Sequence, residues 1–272
     1  SITAASAKFS GLNLSTEEGQ ETLRQLGLTA REVGATTKFS ATEAAQGLDF
    51  LAMAGFSAEQ AMAALPQGFT LATVAQTELA TATDISSDAL RACGLMTKDA
   101  TQLQTNFTRI NDVMAKTMTS SNTNMTDLFE TIKSGAPTFT AAGQSLESFA
   151  ALAGIMANSG VKGSTSGTSL RNVMLKLADP TAEAAKEMEN LGVITQDESG
   201  DFLDIIDILA QFETGLVGMG TAQKTAALST IFGARSVTGI NVLLESGSEA
   251  MREYREEIEG AGGAAQEMAD II

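Results

Sequence analysis

The chain has 272 residues, no His and one Cys, and its 17 basic and 33 acidic residues give it a net charge of −16. Without His or a Cys pair it lacks the usual ligands of zinc and haem and any internal disulfide. Nucleic-acid-binding surfaces need clustered Lys and Arg, so the acidic balance argues against a direct nucleic-acid-binding face. No apolar run approaches the roughly 20 residues that a membrane-spanning helix requires.

The N-terminal region begins without a Met, so we expect the chain to be a segment of a longer protein. Residues 1–14 have poor periodicity and are predicted to be a linker or the end of a preceding element. Ser15 to Glu18 has the form of a capping box and predicts a helix. A second box at Ser40 to Glu43 opens a helix that is apolar nearly all round, which indicates burial, and that stops at Gly55.

Several shorter helices are expected next. Pro66 is predicted to begin one of them, since proline fits the first helical position. Gly135 to Pro137 is expected to break the last of them. The predicted ranges are 57–66, 66–83, 86–93, 99–118 and 125–132.

The stretch from Ser145 to Leu177 predicts a tight helical hairpin. Its first helix carries apolar residues at helical spacing and ends at Gly160, with Val161 packing back on the last turn. The chain then reverses through residues 162–168 and enters a second helix at Leu170. The first helix is rich in Ala and Gly, so two helix axes can approach closely.

The remainder of the chain is also mostly helical in this interpretation. Pro180 begins a helix that ends at Gly192, and Asp204 can cap the helix that follows. Between them, Val193 to Leu203 carries the one β signal and predicts a small hairpin with a turn at 197–200. Further helices are expected at 221–232, 237–244 and in the charged stretch after 247.

An internal similarity relates two parts of the chain. The intervals from Ser40 to Gly55 and from Ser145 to Gly160 each contain a capped helix closed by Gly, at a spacing of about 105 residues. They suggest two copies of one helical-hairpin unit. If this holds, both glycines take positive φ and the hairpins superpose.

The run from Leu152 to Val193 resembles the core region of bacteriophage tail tape measure proteins. Three parts of it carry the resemblance: the turn Asn158 to Gly163, the step Gly167 to Arg171, and the exit Leu191 to Val193. The likeness extends to LAMAGFSAEQAMAALP and IFGARS elsewhere in the chain.

Other motifs have weaker functional interpretations. The Gly160 to Thr168 loop is not a phosphate-binding loop, because its Lys precedes the Gly and a helix comes before it. Asp197 to Asp201 lacks the flanking carboxylates of a calcium loop. Arg171 is interpreted as a partner for an ion pair or a carbonyl group. Cys93 has no His to activate it and is expected to be a core residue.

The predicted fold is therefore all-α, with closely packed Ala/Gly-rich helical hairpins and one small β-hairpin near 193–203. We predict a first helical unit at 15–134, a second at 135–247 and a charged helix at 248–272. No catalytic, cofactor-binding or metal-binding residue is predicted. The residues that we assign to a structural turn motif are Gly55, Gly160, Gly163, Gly167, Arg171 and Gly192.

The resemblance implies a structural virion protein and not an enzyme. Tape measure proteins occupy the tail tube, set tail length during assembly and leave during DNA ejection. The implied partners are further copies of the chain, tail tube protein, tail-tip or baseplate proteins and a tail assembly chaperone, with transient contact with the host membrane. The implied locations are the virion tail and, during assembly, the host cytoplasm. One alternative is a membrane-active protein that forms a pore. Another is a cell-wall hydrolase, and the absence of His from the chain argues against it.

Overall fold

The computed structural model describes residues 2–9, 11–234 and 236–271. Within these residues all the regular secondary structure is helical. The predicted all-α class is therefore confirmed. In chain order the helices are α1 Ile2–Ser6, α2 Glu17–Thr36, α3 Ala41–Met53, α4 Ala58–Val74, α5 Leu79–Ala92, α6 Ala100–Ser120, α7 Met125–Ala141, α8 Leu146–Asn158, α9 Ser164–Ala178, α10 Ala182–Asn190, α11 Ile205–Gly215, α12 Thr221–Phe232, α13 Val237–Ser246, α14 Ser248–Glu259 and α15 Ala264–Ile271.

Helix starts follow the capping pattern of the sequence. Ser40 caps α3 in a complete capping box with Glu43, and Ser57 caps α4 in a second box with Gln60. In the first predicted box the cap is Thr16, one residue later than Ser15, and its side chain accepts a hydrogen bond from the Gly19 amide. Each cap satisfies an amide that lacks a partner within its helix.

Helix ends share one hydrogen-bond arrangement. At the end of α3, the Gly55 amide donates to the Ala52 carbonyl and the Phe56 amide donates to the Leu51 carbonyl. This pair of bonds defines a Schellman motif, which needs a residue with positive φ after the cap. The same pair closes four other helices with glycine at Gly94, Gly143, Gly160 and Gly192. The glycines at which the sequence predicted helix ends, Gly55, Gly94, Gly160 and Gly192, therefore supply the positive φ that this motif needs. Gly143 closes α7 in the same way but was not predicted to end a helix.

Two predicted breaks at proline are wrong. Helix α4 continues through Pro66, and α7 continues through Pro137 to Ala141. Both prolines lie on the exposed side of their helices, where water can bind the carbonyl group that loses its amide donor. Packing of the opposite face then keeps each helix continuous.

The predicted β-hairpin at 193–203 is also wrong. This segment contains one isolated antiparallel bridge, between Gln196 and Phe202. Side chains from elsewhere bind the backbone that a longer ladder would need: the Ile194 amide donates to Gln211 Oε1, and the Leu203 carbonyl accepts from Gln144 Nε2. A two-stranded hairpin is marginally stable by itself, so these competing bonds limit it to a turn.

The packing divides the chain into two units. Unit 1 comprises residues 1–115 and 262–272, and unit 2 comprises residues 116–261. In unit 1 the most extensive helix pair is α3 with α5, and the core includes Leu48, Leu51 and Leu90. In unit 2 it is α7 with α9.

The suspected internal copies share their helix caps but not their packing. Gly55 and Gly160 have φ angles of +88° and +83°, and α3 and α8 both contain 13 residues after a Ser cap. The helix pair corresponding to α7 and α9 is α2 and α4, which pack against each other much less extensively. The order of the helices is nevertheless the same in both segments, with α2, α3 and α4 about 105 residues before α7, α8 and α9. That the two hairpins superpose stays a prediction.

Candidate functional site

Helix α8 is the centre of unit 2. Its residues from Leu146 to Ala157 are all buried, because α7, α9, α13 and α14 pack around it. Ala and Gly are abundant among these residues, and their small side chains allow neighbouring helices to come close on several sides. A helix buried on every side can only be stable within this assembly of helices.

Helices α7 and α9 approach each other closely. A Cβ atom on Gly167 would overlap the carbonyl oxygen of Thr131. A Cβ atom on Gly135 would lie 2.9 Å from the Gly167 carbonyl oxygen and 3.2 Å from its Cα. Only glycine fits at either position, so the two backbones are in direct contact.

The turn between α8 and α9 is attached to α7 by a buried hydrogen bond. The Thr131 hydroxyl lies 3.0 Å from the carbonyl oxygen of Gly163, the residue that precedes α9. Gly163 has φ 64° and ψ −147°, a conformation that is essentially restricted to glycine. The turn is also attached through Lys162, whose ammonium group donates to the Asn122 carbonyl at 3.2 Å.

On another side of α8, Gly154 packs against Tyr254 of α14. The Tyr254 hydroxyl lies 2.8 Å from the Ser120 hydroxyl, near the end of α6. Burial raises the pKa of the Tyr254 phenol, and the hydrogen bond to Ser120 opposes this shift only in part. The tyrosine therefore stays neutral at physiological pH and links α14 to the end of α6.

Polar side chains join the starts of α8 and α11. Gln144 Oε1 accepts from the Ile205 amide at 2.7 Å, while its Nε2 donates to the Leu203 carbonyl at 3.1 Å. Asp204 caps α11, accepts from the Ser148 hydroxyl at 3.0 Å and pairs with Arg255 at 3.1 Å. These contacts fix the backbone at the end of the segment that was predicted to be a β-hairpin.

The structure brings together some of the residues that the sequence assigned to a turn motif. Gly160, Gly163 and Gly167 lie in the α8–α9 turn and the first turns of α9. Gly192 ends α10 in the same unit, and Gly55 ends α3 in unit 1. Arg171 is exposed, and its side chain has no hydrogen-bond or ion-pair partner among the described residues.

The residues that sequence analysis missed are the partners of these glycines. Thr131, Gly135, Gly154 and Tyr254 complete the close helix contacts, but the residues in each contact lie 32 to 100 positions apart along the chain. The sequence shows that the glycines are small and that Tyr254 occurs once, but it does not show which residues contact each other. The structure also contains no helix, within the ranges it describes, that is long and apolar enough to cross a bilayer.

Comparisons with known proteins relate this helical arrangement to phage tail proteins. The family of phage-related minor tail proteins matches residues 27–233. The tape measure protein of Pneumococcus phage Dp-1 is 35% identical over 93% of the chain, and the probable tape measure protein of Escherichia phage P2 is 30% identical over 80%. The matched region covers 21% and 26% of these relatives, respectively.

No solved structure matches the chain significantly. The family match nevertheless covers the whole of the α7–α9 region and includes every glycine assigned to the turn motif. The chain therefore belongs to the phage-related minor tail protein family, among the tape measure proteins of phage tails.

Proposed function

We propose that this chain is a folded module of a tape measure protein that sets tail length, supports assembly of the tail tube and leaves the tail during DNA ejection. The observation that carries the proposal is the complete burial of α8 within unit 2. A segment packed in this way is a folded domain with specific surfaces, whereas a segment that sets tail length by its own length needs to be extended.

Helix lengths support a division of labour within the longer protein. The longest helix, α6, has 21 residues and is about 32 Å long at 1.5 Å per residue. A single helix of the whole chain would reach about 400 Å. Because the chain spans about a quarter or less of the length of its relatives, we propose that the measuring segment lies outside it.

The partners follow from a role in the tail. We propose that the module contacts further copies of itself, tail tube protein, tail-tip or baseplate proteins and, in the host cytoplasm, a tail assembly chaperone. Its net charge of −16 supports a place in a tube that DNA also passes through, since like charge disfavours adhesion to phosphates.

An in-frame deletion of Ser145 to Leu177 in the phage gene tests the proposal. The deletion removes α8 and most of α9, so the apolar faces of α7, α13 and α14 lose their partner. We expect electron microscopy to show no tails or tails of irregular length. A uniform population shortened by about 50 Å, at 1.5 Å per residue removed, would contradict the proposal because it is the behaviour of a simple ruler.

A matched pair of substitutions separates packing from chain length. Gly167→Leu and Thr165→Leu introduce the same side chain into α9, one against the α7 backbone and one at an exposed position. We expect only Gly167→Leu to impair tail formation. Equal, normal tails from both variants would show that the packing of this hairpin does not matter for the tail.

A further inference from the structure

The last helix of the chain belongs to unit 1 although the whole of unit 2 precedes it in sequence. The chain leaves unit 1 after Ala115 and returns to it at Gly262. Residues 262–271, which we call the latch, therefore pack with the N-terminal part of the chain. Helix α15 of the latch packs mainly on α4.

A buried carboxylate holds the start of the latch. Asp112 of α6 is 6% exposed, and its two oxygens accept hydrogen bonds from the Gly263 amide at 2.9 Å and the Ala265 amide at 3.1 Å. Both amides lie at the N-terminus of α15, where amides lack partners within the helix and negative charge is favourable. One side chain thus supplies the N-terminal cap of a helix that is distant in sequence.

The remaining contacts of the described latch residues are mainly with α4. Ala265 is fully buried, and Gln266 Oε1 lies 3.3 Å from the Thr70 hydroxyl of α4. Beyond Gln266, the residues Ala269 and Asp270 border an open groove of about 800 Å³ between α2 and α4. Among residues 264–270 of this short helix only the side chain of Ala265 is buried, so the helix is held less firmly than the surrounding core.

We propose that the latch opens and closes as a separate element and, when closed, shields unit 2 from tension along the chain. When force is applied between residues 1 and 272, it passes through unit 1 and through the contacts that hold the latch to it. Residues 116–261 carry no force, because both of their ends are attached to unit 1. Opening the latch places unit 2 in that path. The latch follows from the packing of unit 1 alone and stands whether or not the chain measures tails.

Hydrogen–deuterium exchange of the full chain tests the separate opening. Asn in place of Asp112 keeps the shape but can accept through only one of its two terminal atoms, so Asp112→Asn removes one bond to the latch. We expect exchange of the α15 amides to accelerate about tenfold, as for loss of a hydrogen bond to a charged group, with no change in α3 or α5. Asp88→Asn, the same change at an exposed site in α5, is expected to leave the latch unaffected. Equal acceleration across unit 1, or none in α15, would overturn the proposal.

Single-molecule pulling from the two ends tests the shielding. We expect the extension of the chain to increase first by at most about 40 Å, when the latch is released. Unfolding of the 146 residues of unit 2 should then increase the extension by about 500 Å. In a Cys93→Ala background, a short bis-maleimide joining Thr70→Cys to Gln266→Cys should abolish the 500 Å gain, because the load bypasses residues 71–265. The same variant without cross-linker serves as the control. A first step in which residues 1–115 unfold together with the latch would refute its independence.

Discussion

The ring of Tyr254 lies directly on the backbone of Gly154, so that a Cβ atom on this glycine would come within 2.5 Å of Cε1 and 2.7 Å of Oη. Tyr254 is the only tyrosine, and the chain has no tryptophan. Its fluorescence and absorbance therefore report the packing of α14 on α8 without any change to the protein.

Gly154→Ala is expected to displace this ring and to destabilise unit 2 by about 1–3 kcal/mol, the usual cost of overpacking. For a protein of this size, each kcal/mol lowers Tm by about 2–4 °C. The measurement is thermal unfolding followed by Tyr254 fluorescence. An unchanged Tm with unchanged emission would show that the ring moves aside freely.

Gly27→Ala is a control for the glycine contacts, because we expect it to increase stability where Gly154→Ala decreases it. Gly27 is in the middle of α2, and a Cβ atom there would have no neighbour within 4 Å. Ala should stabilise unit 1 by about 0.5–1 kcal/mol, because Gly is a poor helix former. Thermal unfolding followed by circular dichroism measures the change, and a loss of stability would mean that helix propensity does not dominate at this position.

Tyr254 also predicts a dependence of stability on pH. Burial raises its pKa in the folded chain above the value of about 10 for an exposed tyrosine. The neutral phenol therefore contributes stability that is complete below pH 10 and is lost as pH rises from there through the folded pKa. Absorbance at the tyrosinate band should show a midpoint above 10 in the folded chain. Tyr254→Phe should remove this part of the alkaline loss, and an ordinary midpoint would contradict the burial.

Gln76 is expected to be a site where glycine stabilises the chain. It has φ 50° and occupies the position after the α4 cap that glycine occupies in the other Schellman motifs described above. A non-glycine residue in this conformation costs roughly 1 kcal/mol, so Gln76→Gly should stabilise unit 1 by about this amount. The matched change Gly94→Ala, at the same position after α5, should destabilise by a similar amount. Urea unfolding of both variants measures the difference, and shifts of the same sign would be incompatible with this explanation.

Gln144 provides a test of the segment that forms no hairpin. Glu has the same shape but would place an oxygen where Nε2 now donates to the Leu203 carbonyl, so Gln144→Glu should destabilise unit 2 by about 1–3 kcal/mol. Gln223→Glu is the control, because Gln223 uses only its Oε1 to accept from the Gly220 amide. Equal stability of the two variants, measured by urea unfolding, would show that the Leu203 contact is unimportant.

Local features of this fold could be predicted from the sequence, and distant pairings could not. The box at Ser40 and the stop at Gly160 depend on residues within one turn of each helix, so the pattern contained the whole interaction. The continuity of α7 through Pro137 depends on which side of the helix faces solvent, which only the packed structure determines. The loss of the predicted hairpin depends on Gln144, about 60 residues away from its partners.

The candidate site divides in the same way. Gly160, Gly163 and Gly167 were found because glycine clusters between two apolar helical faces are typical of tight turns. Their contact with Thr131 and Gly135 was not predicted, because many helices rich in Ala and Gly have the same sequence pattern without such a contact. What distinguishes this pair is the distance between two backbones, and a single sequence does not contain that distance.

The burial of α8 has a consequence for synthesis of the protein. Helices α9, α13 and α14 cover it, and the last of these ends about 100 residues after Asn158. At about 5–20 residues per second, a ribosome needs roughly 5 to 20 s to make them. During this interval α7 and α9 can cover only part of α8, and the apolar surface that α13 and α14 later bury stays uncovered. Aggregation in these seconds competes with folding, so a cell that makes many copies at once benefits from a factor that binds the unfinished chain.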